Sequence, residues 1–129
     1  MALRIAVDAN CYVDFCRGEP AAVEVLRRAA EIHIPFIVLA ELRAGFVLGT
    51  RYRDNERQLG RFLQSRRVLT LLPDEATTHV YAKLFGDLRR AGTPIPVNDL
   101  WIATLALQHD LTLATRDRHF DVVRGLSRI

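Results

Sequence analysis

The feature that most constrains this chain is an alternation: short apolar runs recur along it, each followed by a longer stretch with apolar residues at helical spacing. That pattern reads as strand–helix units whose strands are buried on both faces, and so as a parallel sheet. Leu3 to Val7 reads as the first strand. Asn10 to Arg17 reads as a helix ended by Gly18, and Pro20 opens a second helix to about Glu31, with Val23, Leu26 and Ala30 on one side. Ile32 to Phe36 is a second strand interrupted by Pro35. It leads into an unusually apolar helix, Ile37 to Leu48.

Asp54 to Ser65 is amphipathic, with Leu59, Phe62 and Leu63 opposite Arg53, Arg57 and Arg61. Val68 to Leu72 is a third strand, stopped by Pro73. Asp74 caps a long helix to Arg90, and Gly92 to Pro96 is a loop. Asn98 or Asp99 starts a helix to about His109, followed by the strand Leu111 to Thr115. Val122 to Ile129 offers an edge strand. The predicted fold is α/β: a three-layer α/β/α sandwich with a central parallel sheet of four to five strands. No repeat or linker divides it, so residues 1–129 are expected to form a single domain.

Composition narrows the function classes. No apolar run approaches the ~18 residues a membrane helix needs. The segment before the first acid, Asp8, is too short for a signal peptide's apolar stretch, so a cytoplasmic protein without a membrane partner is expected. Cys11 and Cys16 fit neither a redox pair nor a zinc knuckle, and His33, His79, His109 and His119 are scattered, which argues against a zinc site. The net charge is +3 and the basic residues are arginines apart from Lys83. Arginine suits phosphate recognition, so this charge permits a nucleic-acid partner without demanding one.

In open parallel sheets, ligands bind outside the carboxyl ends of the strands. Four acids fall where strands end and helices begin: Asp8 after the first strand, Glu41 early in the helix after the second, Asp99 at a helix opening, and Asp117 just past the fourth strand. Taken singly, Asp8 can be a turn residue, Asp99 a helix cap, and Asp117 an Asx-turn. Glu41 is harder to explain. Its neighbours Phe36 to Ala40, Leu42 and Ala44 are apolar, so its face is expected to lie against the sheet, where an unpaired carboxylate is costly. Arg43 is not a suitable partner, because residues two apart point to different sides of a helix. If the four converge, each pair ~5 Å apart repels by roughly 3 kcal/mol at an effective dielectric near 20, and a multivalent cation would relieve this. A set of oxygen ligands without cysteine or histidine selects Mg²⁺ or Mn²⁺ over zinc.

The runs Ile5-Ala6-Val7-Asp8-Ala9-Asn10, Leu39-Ala40-Glu41-Leu42-Arg43-Ala44-Gly45, Asn98-Asp99-Leu100-Trp101-Ile102-Ala103 and Leu113-Ala114-Thr115-Arg116-Asp117 resemble, in order and over the whole chain, the PIN-domain family. Within it they are most similar to the VapC toxins of toxin–antitoxin pairs. The resemblance implies an acidic pocket for Mg²⁺ or Mn²⁺ and an endoribonuclease that hydrolyses RNA phosphodiesters with metal-activated water. Asp8, Glu41, Asp99 and Asp117 would be the catalytic, metal-holding acids, with Asn10 and Thr115 in support. It also implies a homodimer silenced by a small VapB-like antitoxin, for which the apolar positions around Phe46 and Val47 would fit a partner surface or a core. Arg43 and Arg116 are candidates for guiding the RNA backbone. Asp121 reads as a solvated loop residue and Trp101 as core.

Two readings of other classes compete. One is a non-catalytic RNA- or protein-binding module on the same fold, which the complete acid set argues against. The other is a phosphotransfer receiver, which wants an accepting Asp at the third strand and a late Lys; here the third strand leads into Pro73-Asp74 and Lys83 sits mid-helix. A structure-specific DNA nuclease would need elements for gripping a junction that this chain lacks.

Overall fold

The structure, a computed structural model, describes residues 2–129. Its elements in chain order are β1 (Arg4–Val7), α1 (Ala9–Cys16), α2 (Pro20–Arg28), β2 (Glu31–Pro35), α3 (Phe36–Leu48), α4 (Tyr52–Leu63), β3 (Val68–Leu71), α5 (Glu75–Arg90), α6 (Val97–Gln108) and β4 (Thr112–Ala114). A short 3-10 helix, Arg118–Val122, follows β4. The sheet is parallel with strand order β3-β2-β1-β4. The connections through α1–α2 and α3–α4 step one way across it, and that through α5–α6 jumps back over β2 and β1. Right-handed crossovers therefore place the first four helices on one face and the last two on the other, which is the α/β/α sandwich expected.

Burial explains why central strands carry unbroken apolar runs. Ile5, Ala6 and Val7 of β1 and Ile34 of β2 are fully enclosed, because both faces are covered. Phe120, from the 3-10 helix, closes the same core.

Apart from shifts of one or two residues at the ends of other elements, the structure corrects the element boundaries at three places. Helix α2 stops at Arg28, because Glu31 is recruited into β2, where it pairs in register with Arg4. Phe36 opens α3 rather than ending β2. Pro35 closes the strand and precedes the helix in an extended conformation, as a residue lacking an N–H can. The edge strand expected over Val122–Ile129 is reduced to one bridge, Leu113 with Arg128, so the sheet has four strands. Gly18 adopts φ 75° just after α1, the left-handed turn that ends this helix as expected. Among the described residues, no helix is long and apolar enough to cross a membrane.

Candidate active site

Asp8 ends β1 and caps α1. Its Oδ1 accepts the Cys11 backbone N–H at 2.8 Å, and its Oδ2 accepts the Thr115 hydroxyl at 2.5 Å. The same hydroxyl oxygen accepts the Asp117 backbone N–H at 3.0 Å. One threonine after β4 thus ties the first acid to the last, across the β1–β4 strand pair.

Asp117 caps the 3-10 helix, its Oδ1 accepting the His119 backbone N–H at 2.9 Å. Asp99 lies in the first turn of α6. The His119 ring stands between these two acids: its Nδ1 is 2.9 Å from Asp99 Oδ2 and 3.2 Å from Asp117 Oδ1.

Glu41 is half-buried and does not lie flat against the sheet. Val38, Leu39 and Leu42 take the inward positions of α3, and Glu41 Oε2 instead accepts Asn98 Nδ2 of α6 at 3.4 Å. The partner that its apolar neighbours concealed is therefore next to Asp99.

The electrostatics of these acids register their convergence. Burial pushes the Asp8 carboxyl above its ordinary range in spite of its two hydrogen bonds, and the charges of Asp117 and Asp99 push it further. Burial raises Glu41 as well, with Asp99 and Asp8 adding to the shift. Asp99 is raised by burial, then by Asp117, against the hydrogen bond from His119. Asp8, Glu41 and Asp99 each feel the charge of at least one other acid of the set, an arrangement that favours a bound cation.

The tightest group is not the one expected from the sequence. One ligand atom each from Asp99, Asp117 and His119 lie within 4.8 Å of one another. Asp8 joins through Thr115, and Glu41 through Asn98. His119 and Asn98 are the residues sequence reasoning missed. Both were within its reach, since His119 stands two residues after Asp117 and Asn98 directly before Asp99. Carboxylate oxygens, partly desolvated and mutually repelling, are a donor set that fits a divalent ion.

Asn10 is exposed in the first turn of α1. Arg116 holds Asp14 at 2.7 Å, and Arg43 holds Glu56 at 2.9 Å, so both cations are already engaged. Asp121 is paired with Arg128 and Arg118. Trp101 is half-buried, stacked on Tyr81 of α5 with ring centroids 4.0 Å apart. Both cysteines are free, and burial pushes the Cys11 thiol up to about 12, which leaves it protonated and a poor nucleophile.

Known proteins resemble this chain in sequence and in fold. The family model for the PIN domain matches residues 5–126. Ribonuclease VapC1 of Haemophilus influenzae is 37% identical over 115 residues, covering 86% of this chain and 84% of that one. Plasmid stability protein StbB of Pseudomonas syringae pv. tomato is 36% identical over 124 residues, covering 88% and 87%. Among solved structures, a chain of VapBC2 from Rickettsia felis, crystallised with a DNA fragment from the promoter, superposes with a TM-score of 0.87 at 27% identity and covers 98% of both chains.

Proposed function

This chain belongs to the PIN-domain family, and from that premise we propose that it is a metal-dependent endoribonuclease acting as the toxin of a VapBC-type pair. The observation that carries the reading is the meeting of Asp8, Glu41, Asp99 and Asp117, three of them held above the usual carboxylate range by burial and by one another. Relatives named ribonuclease VapC, and the VapBC complexes that share the fold, support the substrate class and the antitoxin partner.

In this reading the whole chain is one nuclease domain. Asp99 and Asp117 hold a divalent ion, Mg²⁺ or Mn²⁺, and Asp8 and Glu41 complete its surroundings. The bound ion supplies Lewis-acid activation of water and neutralises phosphate charge. Thr115 orients Asp8 and fixes the backbone of Asp117, and Asn98 orients Glu41. The chain needs no protein nucleophile. Arg116 and Arg43, now paired with Asp14 and Glu56, would contact the RNA backbone once substrate displaces those partners.

Val47 and Leu48, at the end of α3, are 67% and 89% exposed, and this apolar surface supports docking of a small antitoxin or a second copy. The protein would act in the cytoplasm, where its RNA substrate lies.

The test is direct. Purified protein should cleave single-stranded RNA with added Mg²⁺ or Mn²⁺, leave 5′-phosphate and 3′-hydroxyl ends, and stop in chelator. A 2′,3′-cyclic phosphate would refute the water-attack chemistry. Cleavage that survives Asp8→Asn would remove the acid centre. Metal-independent RNA binding with no cleavage would favour a binding module.

A further inference from the structure

We propose that His119 is itself a ligand of the divalent ion, through Nδ1 and alongside Asp99 and Asp117, and that this nitrogen donor tilts the centre from Mg²⁺ toward Mn²⁺. The proposal rests on the metal-centre reading above and adds to it a residue outside the four acids. Three observations carry it.

The first is spacing. Neighbouring ligands of a six-coordinate ion with bonds of ~2.1 Å lie about 3 Å apart. His119 Nδ1 stands 2.9 Å from Asp99 Oδ2 and 3.2 Å from Asp117 Oδ1.

The second is hydrogen-bond capacity. Nδ1 carries at most one hydrogen, yet it faces two carboxylate oxygens at once. That single hydrogen is at best shared between the two oxygens, whereas an ion among the three atoms would use a lone pair from each. Asp117 Oδ1 already accepts the His119 backbone N–H at 2.9 Å, so the turn that presents the acid also brings the His119 backbone beside it.

The third is access. The His119 side chain is 57% exposed, so core packing does not hold it in place, and its Nδ1 nevertheless stands beside both acids.

The consequence follows from donor chemistry. Mg²⁺ prefers an all-oxygen octahedron and gives up its waters reluctantly. An imidazole suits a first-row transition ion better. Mn²⁺ accepts both carboxylate and imidazole, and so gains from His119 where Mg²⁺ does not.

Pulsed electron paramagnetic resonance on the Mn²⁺-loaded full chain tests this, because a directly bound imidazole nitrogen modulates the manganese echo. Wild type should show the nitrogen coupling and His119→Gln should lose it. Calorimetric titration should show Mn²⁺ affinity falling about ten-fold in His119→Gln, with Mg²⁺ affinity changing less than about two-fold. Thermal melting of metal-free His119→Gln should match wild type, since an exposed side chain is replaced. Mn²⁺ bound without nitrogen coupling, or equal losses for the two ions, would overturn the role of His119 while leaving the acid centre intact. Failure of wild type to bind either ion would overturn both the role and the centre. Asp99→Asn serves as the control that abolishes binding of both ions.

Discussion

At the scale of single residues, the site divides between acids that would meet an ion and residues that aim them. Thr115 is the clearest of the second kind, because one hydroxyl donates to Asp8 and accepts from the Asp117 backbone. Thr115→Val keeps the shape and removes both bonds. It should lower RNA cleavage about 10–100-fold, the range for outer ligands that orient a metal site, and weaken Mn²⁺ binding in parallel. Single-turnover kinetics and calorimetry check this, and unchanged cleavage would show that Asp8 holds its position unaided. Asp8→Asn should act more severely, lowering cleavage by more than about 100-fold. An asparagine oxygen can still cap α1, so the fold should survive, as circular dichroism would show. In the metal-free protein this change also removes a buried charge that Asp99 and Asp117 repel.

At the scale of elements, α6, whose first turn carries Asp99, is pinned at its far end to α5. Thr77, fully buried, accepts the Asp74 backbone N–H at 2.9 Å and donates to Gln108 Oε1 at 2.6 Å. Gln108 Nε2 in turn donates to Asp74 Oδ1 at 3.0 Å. The start of α5 is thereby locked to the end of α6. Thr77→Val should cost about 0.5–1.5 kcal/mol, because it removes hydrogen bonds to the exposed Asp74 and the half-buried Gln108, which solvent replaces only in part. Urea denaturation measures the loss, and hydrogen exchange should quicken first in the last turn of α6. The helix and strand types were legible in the sequence because their periods differ, and Asp74 announced the start of α5. The bond from Asp74 to Gln108 was not legible, since it joins residues on two separate helices. The same limit applied at Glu41. Its apolar neighbours marked it as a residue in need of a partner, but only the fold brings α6 alongside and identifies that partner as Asn98. At the C-terminus, the apolar residues of Val122–Ile129 suggested a strand. Instead Phe120 and Leu126 turn into the core and leave a single bridge.

At the scale of the whole molecule, the sandwich places mutually repelling acids at one edge of its sheet, so its stability should depend on pH and on divalent ions together. A carboxyl whose folded pKa is raised binds its proton more tightly folded than unfolded. Stability therefore falls as pH rises from the ordinary carboxylate value through the raised one. Asp8, Glu41 and Asp99 all contribute in this direction, from starting values of 3.8 for the aspartates and 4.5 for the glutamate. The pairs of Asp14 with Arg116 and Asp87 with Lys83 contribute in the opposite direction, since their carboxyls are held low, but solvent around the exposed Arg116 and Lys83 screens them. Without metal, Asp8→Asn should thus be at least as stable as wild type at neutral pH, and any advantage should narrow as pH falls toward 3.8. Adding an ion should reverse the order. At about 100 times its Kd, a ligand confined to the folded state contributes about 2.7 kcal/mol. For a chain of this length that is a rise in Tm of roughly 10 °C. Wild type should show this rise with Mn²⁺ at neutral pH, while Asp8→Asn should show a much smaller one. A wild-type melting curve indifferent to the ion would mean that the acids are not gathered around a cation, however closely they approach one another.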